Sequence, residues 1–346
     1  MSGVMAIDAD RQLAMVITAA GGPEVLQPRR EPVPTCGPQQ VLIEVAAAGV
    51  NRHDVNQRRR GPDARHSDIP GLEVAGRIVA VGEYVTHRKP GDTVCALVDG
   101  GGYASYAVAD ASLTLPVPHA MTMIEASALP EALFTTWHNF FTVARLQAGE
   151  RVLIHGGTSG VGSIAIQLLS AFGHEVYATC GTDEKCETAR SLGARAAFNY
   201  RTEDFARRTL EATGQRGVDV ILDMAGVVHA EANIVALARR GRIVHLSPGG
   251  GADMRFPLRA LMQKEGIVTG SLLRPLPLDE KAVIAAALAD KVWPRLGTQI
   301  RPMISCTLPL AQAAQAHQRL EEGDVAGKIV LLPQSLIDAD APRLPI

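Results

Sequence analysis

The stretch 151–162, RVLIHGGTSGVG, constrains this chain more than any other. Val152-Leu153-Ile154 reads as a short apolar strand running into a glycine-rich turn. From Val161 onward the apolar residues recur with helical spacing. Strand, tight turn and helix start are the parts that seat a dinucleotide, because amides at a helix N-terminus point at the pyrophosphate and the helix dipole favours its negative charge. Gly157 and Gly162 fill the outer positions of G-x-G-x-x-G, Ser159 stands at the middle one, and Gly160 lies beside it. A glycine run alone marks only a tight turn. Here a strand precedes it, a helix follows it, and a second strand at 175–179 lies beyond Gly173, so motif and context agree.

On either side of this stretch the chain changes character. From residue 14 to about 120, short β-rich runs at 14–18, 41–47, 71–81, 93–97 and 103–108 are separated by Gly and Pro turns, which indicates an all-β or partly open barrel. Pro28, Pro32, Pro34 and Pro38 predict an irregular, extended segment. Residues 121–141 have helical spacing interrupted by Pro130. Helical patterns then alternate with buried-type strands at 218–222, 242–246 and 267–271, the signature of a parallel, doubly wound sheet. After a helix at 281–289, strands at 302–305 and 328–332 flank a helix at 310–320, and this tail is expected to return to the N-terminal domain.

Composition narrows the partners. The 346 residues suffice for roughly two domains. A net charge of −2 without a long basic block argues against a nucleic-acid partner, and Arg58-Arg59-Arg60 reads as a solvated loop. Five scattered cysteines without C-x-x-C suit reduced thiols in a cytoplasmic setting. No apolar run reaches a membrane span, and the acid-bearing N-terminus lacks the apolar core of a signal peptide, so it is read as a loose extension.

The second strand of the dinucleotide unit ends Thr179-Cys180-Gly181-Thr182, without the acid that would bond a ribose diol. Lys185 follows at a helix start, where a cation suits a 2′-phosphate and so favours NADPH. The alternative is an ordinary surface lysine, and Asp183 or Glu184 turned toward a ribose keeps NADH open. Tyr200 is a second candidate at the adenosine end, its alternative being ordinary packing after a strand.

Many spaced motifs occur in one order: 49–54 (GVNRHD), 70–76 (PGLEVAG), 89–92 (KPGD), 101–104 (GGYA), 129–132 (LPEA), 155–162 (HGGTSGVG), 198–200 (FNY), 271–274 (SLLR) and 326–331 (AGKIVL). Over residues 14–333 the chain resembles the zinc-independent, zeta-crystallin-like quinone oxidoreductases of the medium-chain dehydrogenase/reductase superfamily, and looks closest to their p53-inducible branch. The resemblance implies an α/β protein with a GroES-like β-rich catalytic domain (1–134, with 291–346 returning to it) and a Rossmann NADPH-binding domain (135–290). It also implies a cleft between the two and a homodimer.

Carried over by residue, Asn51 and Asp54 would lie on the nicotinamide side, Thr135 by the carboxamide and His138 near the cofactor. Gly157, Ser159, Gly160 and Val161 would meet the pyrophosphate. Gly181, Lys185 and Tyr200 would meet the 2′-phosphate end, and Ser247 and Gly249 would flank the nicotinamide ribose. Leu272, Leu273 and Arg274 would line its far end, and Lys328 would close near the cleft.

Zinc relatives need a cysteine where Asn51 stands and a histidine where Leu72 stands, so no metal is expected. Without a Lewis acid a plain ketone is a poor acceptor, whereas a quinone or enone takes hydride readily. The family's tyrosine after Asn-x-x-Asp is missing; Asn56 and Gln57 occupy that region, which leaves His53 or Asn56 as donor to the developing oxyanion. The expected function is NADPH-dependent reduction of quinones or similar activated carbonyls. Reduction of enoyl ketones or thioesters is the first alternative, and a low-turnover NADPH-bound RNA-binding protein is the second.

Overall fold

A computed structural model describes residues 11–251 and 253–333; the N-terminal extension expected from the sequence falls on residues 1–10, outside the described range. In chain order the elements begin with β1 (Arg11–Ile17), β2 (Leu26–Pro32), β3 (Gln40–Gly49), α1 (Arg52–Arg60), β4 (Glu73–Val81), β5 (Thr93–Leu97), β6 (Tyr106–Asp110) and β7 (Thr114–Pro116). Then come α2 (Met123–Ala126), α3 (Pro130–Trp137), a π-helical turn at His138–Val143, β8 (Arg151–His155), α4 (Gly160–Ala171), β9 (Glu175–Cys180), α5 (Asp183–Ser191), β10 (Ala196–Asn199), α6 (Phe205–Ala212) and β11 (Val218–Asp223). The chain ends with α7 (Ala230–Ala236), β12 (Leu237–His245), α8 (Leu258–Gln263), β13 (Ile267–Gly270), α9 (Leu278–Lys291), β14 (Ile304–Pro309), α10 (Ala313–Glu322) and β15 (Lys328–Leu332).

These elements form two compact units. One runs up to Glu131 and resumes at Ile304; the other is Ala132–Met303. The chain therefore crosses between units just after the start of α3, and again past α9 rather than at residue 290. The second unit is a six-stranded, all-parallel sheet in the order β10-β9-β8-β11-β12-β13. Strand order reverses between β8 and β11, which is where such sheets receive a dinucleotide. The middle strands are buried along nearly their whole length, because helices cover parallel sheets on both faces. Leu153, Tyr177, Ile221 and Ile243 make the core.

The first unit holds a seven-stranded, mostly antiparallel sheet, β14-β15-β3-β4-β5-β7 with β6 also on β3, and a separate β1-β2 pair. Met15, Ile43, Val45, Ile78 and Leu331 share its core, so the C-terminal tail completes it.

Two local readings change. The proline-rich segment is not wholly irregular: residues 26–32 form β2, with Pro28 opposite Met15. Met15 sends its own N–H to Tyr103 O at 2.9 Å, so this pair needs no donor from proline. Arg58-Arg59-Arg60 is the last turn of α1 and not a solvated loop. Arg58 is 1% exposed. Its guanidinium donates to both carboxylate oxygens of Glu321 on α10, at 3.1 and 2.7 Å. A partner 263 residues away gives a local motif no way to announce burial.

Glu321→Ala strands a desolvated guanidinium and should cost about 3 kcal/mol, the range for breaking a buried pair. Arg58→Met combined with Glu321→Leu should regain most of that loss in urea titrations. Equal losses in the single and double variants would show that the charge pair is not the cause.

Candidate functional site

In the first unit the candidate site is built where β3 ends and α1 begins. Asn51 is the extended N-cap of α1, and its backbone N–H donates to Asp54 Oδ2 at 2.8 Å, one half of a capping box. Its carboxamide is held at both ends: Lys328 Nζ donates to Oδ1 at 2.6 Å, and Nδ2 donates to Glu73 Oε1 at 3.0 Å. Glu73, at the first position of β4, is fully buried and pairs directly with the Lys328 ammonium. Its other oxygen accepts the Glu131 backbone N–H at 2.9 Å. Room for the carboxylate exists only because residue 49 is glycine: a Cβ there would stand 2.2 Å from Glu73 Oε1.

Asp54 lies deeper, at 0% exposure. It accepts from Asn51 N, from Gly71 N at 3.2 Å and from the Tyr103 hydroxyl at 3.0 Å. Burial nevertheless pushes its carboxyl up to about 6, the three hydrogen bonds and the Lys328 charge opposing that rise only in part. Tyr103 OH also lies 3.2 Å from His317 Nε2. Burial, with the cation of Arg58 in support, drives His317 down to about 3, so the imidazole is neutral. Asp54 thus positions Asn51, Gly71 and Tyr103 from beneath. His53 is half-buried and Asn56 exposed on the same helix.

In the second unit, the turn after β8 explains why serine replaces the middle glycine. Ser159 is the N-cap of α4, and its Oγ accepts from Gly162 N at 3.0 Å. A Cβ on Gly162 would lie 2.2 Å from Gly156 O, so the turn closes only around glycine. Gly157 N donates to Thr179 O at 3.0 Å, tying the turn to β9. Gly160 and Val161, as first-turn amides of a 12-residue helix, have no intrahelical acceptor and can take a pyrophosphate.

At the end of β9 two polar side chains come together. The position of a Cβ on Gly181 is 3.0 Å from the Tyr200 hydroxyl and 3.5 Å from Arg201 Nε. Lys185 lies in the first turn of α5, which Thr182 caps by accepting Lys185 N–H at 3.2 Å. Asp183 is engaged with Asn199 Nδ2 at 2.7 Å, which gives that carboxylate a structural partner. Tyr200 is 40% exposed, its ring edge against His229.

Thr135 on α3 and His138 in the π-helical turn are both buried, and His138 Nδ1 has no hydrogen-bond partner among the described residues. An orphaned buried nitrogen in a π-turn suits a site that takes a polar ligand. Ser247 Oγ accepts from Gly249 N at 3.1 Å, and Gly249 forms a bridge with Gly226 that joins the loops after β11 and β12. Leu272 is exposed, Leu273 buried and Arg274 half-buried after β13.

Several residues of these networks escaped sequence reasoning: Glu73, Tyr103 and His317 in the first unit, and Arg201, His155, Asp223 and Asn233 in the second. His155, at the end of β8, meets Thr179 Oγ1 at 2.8 Å and Asn233 Oδ1 at 2.7 Å. Asn233 Nδ2 donates in turn to Asp223 Oδ2 at 2.6 Å. The available signal was an ionisable residue inside an apolar strand, as in Gly71-Leu72-Glu73-Val74-Ala75 and Leu153-Ile154-His155. Among the described residues, no group of three or more His, Cys, Asp or Glu is arranged to hold a metal ion.

The Asp54 environment predicts a pH signature. Its folded value near 6 lies above the ordinary 3.8, so the stabilising contribution is complete below about pH 3.8 and is lost as pH rises through 6. Asp54→Asn removes this titration. The stability of the wild type minus that of the variant should therefore fall between about pH 4 and 6, by up to about 1.4 kcal/mol per pH unit. Urea midpoints across that range measure it, and a flat difference would mean that Asp54 titrates as in an unfolded chain.

Comparisons with known proteins agree with both units. Residues 37–119 match the alcohol dehydrogenase GroES-like domain, and residues 160–289 match the family described as zinc-binding dehydrogenase. The quinone oxidoreductase of Lama guanicoe is 34% identical over 328 residues, covering 92% of this chain and 97% of the relative. The human quinone oxidoreductase is 33% identical over 321 residues, covering 90% and 95%. Among solved structures, the Escherichia coli quinone oxidoreductase complexed with NADPH superposes with a TM-score of 0.82 at 29% identity, covering 93% of this chain and all of that one. With a relative above 30% identity across nearly its whole length, and both domain models in order, this chain belongs to the quinone oxidoreductase family of the medium-chain dehydrogenase/reductase superfamily.

Proposed function

We propose that this protein is an NADPH-dependent oxidoreductase that transfers hydride to quinones or similarly activated carbonyls without zinc. The observation that carries the reading is the Lys328–Asn51–Glu73 cluster. It puts an ammonium and a carboxamide, both hydrogen-bond donors, among residues that offer no thiolate or imidazole for a metal. The names of the relatives support the acceptor, and the E. coli complex supports the cofactor.

When bound, NADPH supplies the hydride. The chain's own residues then do the rest. Gly160 and Val161 amides, oriented by the Ser159 cap, hold the pyrophosphate. Lys185, Tyr200 and Arg201 hold the 2′-phosphate, with Arg201 an addition to the pair expected from the sequence. Asn51 Nδ2 donates to the acceptor oxygen as charge develops on it, a role an immobilised amide fills without reorganising. In this reading His53 and Asn56 contribute through α1 rather than through contact with the acceptor. Asp54 acts as a positioning group. The protein is further proposed to work as a homodimer in the cytoplasm. The family resemblance supports the dimer, and the free state of all five cysteines supports a reducing compartment. No described helix is long and apolar enough to cross a membrane.

NADPH oxidation, with NADH in parallel, should be followed against an ortho-quinone, a para-quinone, an enone, a trans-2-enoyl thioester and a plain ketone. Quinone turnover with NADPH and little with NADH is the expected result. Turnover confined to enoyl compounds would move the function to enoyl reduction. NADPH binding without turnover, together with salt-dependent RNA binding, would favour the binding-protein alternative. Lys185→Ala combined with Tyr200→Phe should raise the KM for NADPH about 10- to 100-fold, the scale of losing one or two charge-assisted bonds, and leave the KM for NADH within about twofold. Equal changes for both cofactors would remove these residues from phosphate recognition.

A further inference from the structure

A buried asparagine normally has two nearly equivalent settings, because exchanging its oxygen and nitrogen changes its shape little. Asn51 does not have that freedom. Its oxygen faces the Lys328 ammonium at 2.6 Å and its nitrogen faces the Glu73 carboxylate at 3.0 Å. Turning the amide over would set NH2 against NH3⁺ and C=O against COO⁻, replacing two charge-assisted bonds by two repulsive contacts. The backbone is fixed as well, by the Asn51 N–H to Asp54 Oδ2 bond at 2.8 Å.

The two flanking charges are themselves immobile. Glu73 is 0% exposed and Lys328 5% exposed. They are paired with each other, and the second carboxylate oxygen is held by Glu131 N at 2.9 Å. Asn51 Nδ2 carries a second hydrogen that none of the hydrogen bonds described here uses, and the residue keeps 8% of its surface accessible. An ammonium on the amide oxygen also draws electron density from nitrogen, which makes the remaining N–H a better donor.

We propose that Lys328 is a positioning residue of the reduction: with Glu73 it locks the sense of the Asn51 carboxamide and polarises it, so that the spare Nδ2–H is presented to the acceptor oxygen. In this role Lys328 acts through Asn51 and Glu73, the two groups it contacts, and not by bonding the acceptor. The inference rests on the proposed quinone reduction, and its test keeps the two apart.

Lys328→Met alone leaves a buried carboxylate and is liable to misfold. The informative variant is therefore Lys328→Met with Glu73→Gln, which removes both charges together. Lys328→Arg serves as the conservative rescue. Three quantities are measured on each: kcat and KM for a para-quinone, the NADPH Kd by fluorescence, and the side-chain amide spectrum of protein labelled with 15N-asparagine. The chain has five asparagines, so only five amide pairs appear.

The expected result for the double variant is a kcat lower by about 10- to 100-fold, within the range seen when a preorganised donor is weakened. NADPH Kd and quinone KM should stay within about threefold, and one amide pair, identified by its loss in Asn51→Ala, should shift or broaden. Lys328→Arg should restore most of kcat and that resonance. A folded double variant with wild-type kcat, or one whose whole defect lies in the NADPH Kd, would overturn the positioning role. An unmoved Asn51 amide would overturn it independently of any activity. If the wild type itself does not turn over quinones, the quinone reading fails, while the amide spectrum still reports whether Lys328 and Glu73 fix Asn51.

Discussion

A carboxylate taken wholly out of water sets the terms for the first unit. An ionised Glu73 at 0% exposure is expensive unless it is surrounded by donors, and the fold brings three of them from distant parts of the chain. Asn51 comes from the β3–α1 junction, the Glu131 amide from the start of α3, and the Lys328 ammonium from β15. No local arrangement of β4 can supply these groups. The C-terminal tail must therefore return across the second unit's whole sequence to place β15 beside β3, as the Val330–Gly49 register records. A buried pair of this kind adds little net stability over an apolar substitute but is costly to break on one side. What it requires is that strands and loops far apart in the chain be brought together around it.

The same logic separates what the sequence announces from what it conceals. The strand–turn–helix at 151–162 was legible because its determinants are local: glycine where a Cβ would strike the Gly156 carbonyl, serine where a helix needs a cap, apolar residues where the sheet is covered. The alternation of strands and helices after it was legible for the same reason. The return of the tail was readable as well, because its pattern departs from that alternation. Arg58-Arg59-Arg60 was not legible, since a run of three cations looks solvated until Glu321 on α10 is brought against it. Nor was the strand character of 26–32 readable, since proline is tolerated there only because the opposing Met15 directs its N–H to Tyr103 instead.

Within the site, legibility follows the same division. Residues proposed to hold the cofactor through backbone or helix-terminus geometry (Gly157, Ser159, Gly160, Val161) carry their own motif. Residues that act through a charge partner do not. Lys328 stands in an ordinary-looking Gly-Lys-Ile-Val strand start, and its buried ion partner, Glu73, lies 255 residues earlier. Arg201 follows Tyr200 among unremarkable loop residues, and its relevance comes from the way β10 sits beside β9, which sets its guanidinium against Gly181. Asp183, which sequence proximity made a rival for the ribose, has its carboxylate on Asn199.

Both units bury a neutral imidazole, His317 in the first and His155 in the second, and they differ in the groups gathered around them. The first buries full charges and balances them, Lys328 with Glu73 and Arg58 with Glu321. In the second, His155 is driven down to about 4, chiefly by desolvation, against the opposing pull of Asp223. A neutral ring can accept on one nitrogen and donate on the other, so His155 can link Thr179 on β9 to Asn233 on α7, and Asn233 links on to Asp223. Asp223 in turn holds the amides of Ala225 and Gly226 at 2.7 and 2.8 Å, which fixes the loop that bridges Gly249. The chain of bonds thus runs across the carboxyl ends of three parallel strands, where backbone ladders give out and loops begin. A protonated His155 would bring a charge into a fully buried position, and burial therefore favours the neutral ring, which accepts on one nitrogen and donates on the other. The same burial that makes the histidine a poor cation strengthens each of its hydrogen bonds, because little solvent competes for them.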